Sequence, residues 1–283
     1  MDTPINFPPL NVEKLLRKHD IRPSKGLGQN FLVDQSALLN VVKAACISRE
    51  DVVLEVGAGL GNLTRYLSHA AKHVVAVELD RRLIPIFLDV LSDCQNVDII
   101  EGDILTLIPD ELIPKTESDY LVVANIPYYI TSAIIRHLLE GTRRPKRMVL
   151  TVQEEVANRI CAKPGDLSLL ALSVQIFGSP KIVAHIHAGA FFPQPKVDST
   201  VVRIDLYNQP AIQGDLIEAF FHIAKAGFSQ KRKTLRNSLS AGLRMTKKDV
   251  ADLLMDAGID PLRRAQTLSI QEWGKVTKSF EKS

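Results

Sequence analysis

Apolar residues in the first two thirds of the chain fall into short runs separated by stretches with helical spacing. Val52–Val56, His73–Glu78, Val97–Ile100, Tyr120–Ala124 and Met148–Val152 read as strands. A stretch ending near Ala70, then Arg81–Leu91, Thr131–Leu139 and Glu154–Cys161, read as helices between and after them. Nearly all-apolar strands alternating with helices predict a parallel sheet covered on both faces. A helix near Leu167–Phe177, a strand near Lys181–His187 and a strand at Ser199–Leu206 follow. No helix separates those two strands, which predicts an antiparallel edge. Tyr207-Asn208-Gln209-Pro210 breaks the pattern, and beyond it only helical periods remain: Leu216–Ala226, Lys231–Leu239, Lys247–Ala257 and Ile270–Phe280. Thr246 and Ser269 suit N-caps, and Gly258 a C-cap. At the other end, residues 1–35 form a polar, basic arm broken by Pro23 and Gly26-Leu27-Gly28, and a short amphipathic helix spans Ser36–Cys46. The expected organisation is an arm (1–35), an α/β domain with a mostly parallel, Rossmann-like sheet (36–207) and a smaller all-α domain (208–283).

Composition changes this picture little. At 283 residues, 46% hydrophobic and 24% charged, the chain has the make-up of a soluble globular protein. No apolar run approaches the ~20 residues a bilayer requires, and Ile5–Leu10 is too short and proline-broken for a signal segment. A cytoplasmic protein is expected, with no membrane partner. Cys46, Cys94 and Cys161 suit neither a disulfide framework nor a zinc cluster. His185 and His187 share a strand face without further ligands nearby, so no metal is expected.

Net charge is only +3, but it is unevenly spread. Ala219–Lys248 contains no Asp or Glu and carries Lys225, Lys231, Arg232, Lys233, Arg236, Arg244, Lys247 and Lys248. Arg143, Arg144, Lys146 and Arg147 form a second cluster, and Lys14, Arg17, Lys18, Arg22 and Lys25 a looser third. Any one of these can be a solvated face; together they favour a polyanion. Lys231, Arg232, Lys233 and Arg236 are the expected phosphate contacts, setting affinity rather than base choice.

Gly57, Gly59 and Gly61 lie between a strand and a helix, where backbone can approach a ligand closely. A dinucleotide turn wants a third glycine at 62, and that residue is Asn62. Glu78 ends the second strand and can accept the hydroxyls of a ribose, or can be a solvated strand end. Asp103 follows the third strand and can accept a hydrogen bond from an adenine amino group, or can be a turn residue. Ligands of open α/β sheets bind at the carboxyl ends of strands, so the three features can converge on an adenosine-bearing cofactor.

The fourth strand closes with Asn125-Ile126-Pro127-Tyr128. An exocyclic amine on adenine is a poor nucleophile because its lone pair is delocalised into the ring. The Asn125 side-chain oxygen and the Ile126 carbonyl can each accept one of its N–H bonds and turn the lone pair out of the ring plane. Pro127 fixes the backbone and offers no competing N–H. Tyr128 offers a face on which an extruded base can stack. Phe191, in Phe191-Phe192-Pro193-Gln194-Pro195-Lys196-Val197-Asp198-Ser199, can cover the other face or belong to the core. The combination points to methyl transfer from S-adenosylmethionine to a nucleobase amine.

These residues resemble the ribosomal RNA adenine dimethyltransferases. The likeness runs from Gly28-Gln29-Asn30-Phe31-Leu32 through the glycine turn, Glu78, Asp103, Asn125–Tyr128 and Phe191–Ser199, and weakly into Ser229–Leu239. It implies a Rossmann-like S-adenosylmethionine-dependent methyltransferase fold, Asn30 and Leu32 lining the cofactor pocket, and stacking by Tyr128 and Phe191. It also implies an RNA-docking helical domain, and two methyl transfers to each of two adjacent adenosines near the 3′ end of 16S rRNA in the small ribosomal subunit or its precursor. Ile126 stands where the family often has Leu, but only its backbone is used. A large-subunit methylase of the macrolide-resistance type, and a non-catalytic RNA-binding assembly or transcription factor, are the alternatives. No heptad seam is evident, so a monomer is expected.

Overall fold

The computed structural model describes residues 7–117 and 119–282. Residues 1–6, the start of the expected arm, lie outside the described residues. Contacts divide the chain into two compact units. The first runs to Ala157 and includes Lys181–Leu206; the second is Asn158–Pro180 with the chain from Tyr207 onward.

The first unit is built on a seven-stranded sheet. Its strands are β1 (Val52–Val56), β2 (His73–Glu78), β3 (Val97–Glu101), β4 (Leu121–Asn125), β5 (Arg147–Gln153), β6 (Gly178–Ile186) and β7 (Ser199–Leu206). They are ordered β3-β2-β1-β4-β5-β7-β6. β3 to β5 run parallel, and β7 is antiparallel to β5, as the absence of a helix before it predicts. Every residue of β1 is buried, so its valine-rich run is explained by packing on both faces. On one face Val53, Val74, Val123, Val149 and Val201 pack with Leu38, Val41, Tyr66 and Leu67 from the helices Gln35–Ala45 and Asn62–Ala70. Asp34 starts the first of these helices by accepting from the Ala37 N–H at 2.7 Å.

Register positions the site. Val56 is paired with Val77 and Ala124, Glu78 with Glu101, and Asn125 with Thr151. The carboxyl ends of β1 to β4 are therefore level. The order reverses between β1 and β4, which opens a crevice there. Gln153 is paired with Ser199, which brings the start of β7 to the same rim.

The arm is more structured than its composition predicts. Val12–Lys18 is a helix capped by Asn11, with Val12 and Leu16 buried. Phe31–Leu32 pairs antiparallel with Phe191–Phe192 in a two-stranded ribbon.

The second unit is helical. Ile217–Phe228, Leu235–Leu243, Lys247–Asp256 and Ile270–Phe280 enclose Phe220, Leu239, Leu254 and Trp273. A methyl group on Gly227 would lie 2.5 Å from the Trp273 ring, so glycine is required for this approach. Thr246 caps one helix and Ser269 forms a full capping box with Glu272 on the last. Gly258, at φ +74°, ends the third helix in the left-handed region. The second helix starts at Leu235 rather than Lys231, because Thr234 is extended at ψ 156° and the preceding basic residues form a turn. Asn158–Pro180, inside the span 36–207, is bonded into this unit. The N–H groups of Gly165 and Leu167 donate to the Gln266 carbonyl, and that of Ala211 donates to Ile176.

Candidate active site

The glycine turn is fastened to the neighbouring strand. The N–H groups of Gly57 and Ala58 both donate to the Val77 carbonyl, at 2.9 and 3.2 Å. Gly57, Gly59 and Gly61 all have positive φ. Gly57 and Gly59 line a cleft of about 780 Å³, measured with its open mouth. Gly61 does not line it. That glycine is the left-handed N-cap of Asn62–Ala70, and a Cβ there would press on Phe87 and Leu91 at 3.2 Å.

Glu78 is 7% exposed and held from both sides. Its Oε2 accepts from the Gly59 N–H at 2.7 Å and its Oε1 from the Asp80 N–H at 2.8 Å. Burial raises its pKa, and these two N–H groups act in the opposite direction. Asp80 accepts from Arg82 at 2.8 and 2.7 Å and from Gln29 Nε2 at 2.8 Å. Arg82, the largest influence, holds its carboxyl below the usual range. Gln29 Oε1 in turn accepts from the Ser24 N–H at 2.7 Å. The arm loop is thus clipped to the end of β2, which places Leu27–Phe31 on the cleft wall. Asp103 lines the opposite side and accepts from the Leu105 N–H at 2.9 Å. Leu79, 45% exposed, and Ile104 give this part an apolar lining.

Beyond the switch point stand Asn125, Ile126, Pro127 and Tyr128, all lining the same cleft. Asn125 Nδ2 donates to the Asn30 carbonyl at 3.0 Å, which commits its amide nitrogen and leaves Oδ1 as an acceptor. Asn30 itself lines the cleft and donates to the Gly28 carbonyl at 3.1 Å. Tyr128 begins a short 3₁₀ turn, and its hydroxyl is 2.6 Å from Ser199 Oγ. Burial raises the phenol pKa, with the Ser199 bond working against it.

The structure does not bring Phe191 or the Leu32 side chain to this cleft. Leu32 pairs with Phe191 across the ribbon, both are 4% exposed, and both pack into the core with Val41 and Leu67. Side chains alternate along a strand, so the partner pair Phe31 and Phe192 turns the other way, towards Leu16 and Leu60. Phe31, not Leu32, lines the cleft. Leu32 instead borders a smaller cavity beneath the glycine turn, with Glu55 and Asn62. Glu55 is fully buried and its Oε2 has no hydrogen-bond partner. Burial pushes its carboxyl up to about 8; the Thr64 hydroxyl opposes this and the Glu78 carboxylate adds to it.

Of the basic clusters, Arg143–Arg147 is largely paired. Lys146 bonds Asp51, Arg147 pairs with Asp205 at 2.6 Å, and Arg143 donates to the Ile113 and Glu117 carbonyls. Lys231, Arg232 and Lys233 are exposed, and Arg236 is half-buried. His185 and His187 contact Thr200 and Asp198. Among the described residues no group of three or more His, Cys, Asp or Glu side chains is placed to hold a metal ion. No described helix is long and apolar enough to cross a membrane. Gln29, Phe31, Leu79 and Tyr129 line the cleft and Asp80 braces it, roles the sequence does not assign; the signals for them are the place of Gln29 and Phe31 in the Gly28–Leu32 motif and the proximity of Asp80 to Glu78.

Two solved structures share this architecture. A dimethyladenosine transferase from Plasmodium falciparum matches with a TM-score of 0.77 at 27% identity, over 89% of this chain and 98% of that one. The 23S rRNA methyltransferase ErmE matches with a TM-score of 0.70 at 27% identity, over 89% and 100%. Fold and strand-end site together define a Rossmann-like, S-adenosylmethionine-dependent methyltransferase.

The chain belongs to the ribosomal RNA adenine dimethylase family, which matches residues 21–282. Among curated relatives, the ribosomal RNA small subunit methyltransferase A of Dehalococcoides mccartyi is 44% identical over 269 residues, 95% of this chain and 92% of that protein. The protein of the same name from Alkaliphilus oremlandii is 39% identical, covering 97% of each.

Proposed function

We propose that the protein transfers methyl groups from S-adenosylmethionine to the exocyclic amines of two adjacent adenosines near the 3′ end of 16S rRNA. The carrying observation is the Asn125 amide, on a residue that lines the cleft: its nitrogen donates to the Asn30 carbonyl, which leaves its oxygen as an acceptor. The names of the relatives at 39–44% identity support the small subunit as substrate.

The residues present fit the cofactor. A Cβ on Gly57 would project towards the Asn125 carbonyl at 3.6 Å and Pro127 at 3.9 Å, filling the space between the ends of β1 and β4. Gly57 keeps that space open, and Gly59 leaves room for the Phe31 ring, which a Cβ there would meet at 3.1 Å; Glu78 would accept the ribose hydroxyls and Asp103 the adenine amine. Asn30 lines the same wall, and Leu32 supports the turn from beneath. S-adenosylmethionine supplies an electrophilic methyl group when bound. The chain's own part is to present the amine. Asn125 Oδ1 and the Ile126 carbonyl would accept its two N–H bonds and aim the lone pair into the cleft. Tyr128, pinned by Ser199, would carry the base on its ring. The amine loses its proton to water after the new bond has formed, so no general base is required and rate comes from orientation. Lys231, Arg232, Lys233 and Arg236 would contact phosphates from the helical unit. The chain would act as a monomer in the cytoplasm, where ribosomal subunits are assembled.

The test is transfer of labelled methyl into unmodified small subunits, with large subunits in parallel and the labelled base mapped. Dimethyladenosine in small-subunit RNA is expected. Label confined to large-subunit RNA would move the chain to the resistance type, a reading to which the likeness to ErmE lends some weight. Asn125→Ala should lower transfer on the order of 10²- to 10³-fold with RNA binding retained. Loss of RNA binding in step with transfer would sink the presenting role of Asn125.

A further inference from the structure

Tyr129 is 59% exposed, and among the described residues lining the cleft it is the one aromatic side chain that is exposed. Phe31 is 8% exposed and Tyr128 is half-buried. Tyr128 and Tyr129 are consecutive in a 3₁₀ turn, where side chains diverge by about 120°. They accordingly reach different walls. The Tyr128 hydroxyl is held by Ser199 at the start of β7. The Tyr129 ring lies over Gly28 in the arm loop: a Cβ there would come within 3.2 Å of two of its ring carbons and 3.4 Å of Pro127 Cβ. Gly28 also has φ +62°. It is therefore held to glycine twice, once by its backbone and once by the ring packed on it. A large, mostly apolar side chain, packed on Gly28, lines the cleft with most of its surface in water.

We infer that Tyr129 stacks on the nucleobase next to the extruded one and holds it at the cleft mouth. This rests on the reading of the cleft as a site for an adenine in RNA. Single-stranded nucleic acid is gripped by aromatic platforms because every base has a π face. Such a platform must be exposed before binding and must lie beside the pocket that takes the flipped base. Tyr129 meets both conditions. Phe191, buried against Leu32 and not lining the cleft, meets neither.

The experiment uses the full chain with Tyr129→Leu, which keeps apolar bulk, and Tyr129→Phe, which keeps the ring. Binding of a short adenine-containing RNA is followed by the fluorescence of 2-aminopurine placed at, and then beside, the target adenosine. Methyl transfer to small subunits is measured in parallel, with S-adenosylmethionine affinity and melting temperature as controls. Tyr129→Leu should weaken RNA binding and raise the KM for RNA roughly 5- to 50-fold. It should abolish the quenching at the flanking position alone and leave cofactor affinity unchanged. Tyr129→Phe should behave as the parent protein. Unaltered flanking quenching and KM in Tyr129→Leu would overturn the inference, as would equal losses in the Leu and Phe variants. A parent protein that fails to methylate small subunits would overturn the substrate reading instead, and the oligomer fluorescence would still decide Tyr129.

Discussion

Glu55 is the residue whose environment conflicts most with its chemistry. It is the fourth of five residues in an otherwise apolar strand, fully buried, with one oxygen unpartnered. Its carboxyl, raised from 4.5 to about 8, holds a proton at neutral pH in the folded chain. Between those values the folded state binds more protons than the unfolded state, so this residue's contribution to stability falls as pH rises through the window. Glu78 is shifted in the same direction by burial. Glu55→Gln, which mimics the protonated form, should raise the melting temperature by a few °C at pH 8.5 and by little at pH 5. Calorimetry at the two pH values checks this, and a larger gain at the acid value would refute it. The acid itself is visible in the sequence beside the glycines, but its burial is not. Likewise the sequence shows two adjacent phenylalanines at 191 and 192. Which of them faces the core depends on the register of a two-residue ribbon whose partner strand lies about 160 residues away. For the same reason the pairing of Arg147 with Asp205 and of Lys146 with Asp51 is hidden from a charge plot.

At the scale of elements, the strands were legible because burial on both faces leaves each an almost uninterrupted apolar run. β7 and the last helix have the bounds their sequence predicts. Helix Val12–Lys18 was not legible, since two buried residues four apart are too little pattern against the flanking prolines. The last helix shows how a local signal acquires energy. Ser269 and Glu272 form the capping box, and Glu272 also accepts from Arg263 Nη2 at 3.1 Å. Arg263 first, then the Ser269 N–H, hold the carboxyl down at about 2 despite partial burial. A carboxylate whose folded pKa is depressed contributes stability above its ordinary value of 4.5, and that contribution is lost as pH falls towards about 2. Glu272→Gln should therefore cost roughly 1 kcal/mol at pH 7 and almost nothing at pH 2. Urea titrations at both pH values measure the difference, and a pH-independent cost would mean that the cap acts through shape alone.

For the whole molecule, the question is what the distribution of charge does. Three basic clusters are present in the sequence, but Arg143–Arg147 is largely spent on carboxylates and carbonyls, and in the arm Arg17 pairs with Glu13 at 2.7 Å. The acid-free stretch Ala219–Lys248 is different: Lys231, Arg232 and Lys233 form an exposed turn ahead of Leu235. Under the proposed function, this turn, which presents three cations without a carboxylate nearby in sequence, would meet phosphates. Each phosphate contact made by a cation releases counterions and steepens the fall of affinity with salt, by about 0.7 in log–log slope for single-stranded nucleic acid. Replacing Lys231, Arg232 and Lys233 together by Gln should flatten the salt dependence of RNA binding by about 2, with S-adenosylmethionine affinity unchanged. Replacing Arg143 and Arg147 should leave that slope as it was and lower the melting temperature instead, because their positive charges are already engaged within the sheet unit. Binding isotherms of the full chain across a salt series separate the two outcomes. A slope that responds to Arg143 and Arg147 but not to the turn would move the RNA-binding face from the helical unit to the sheet unit.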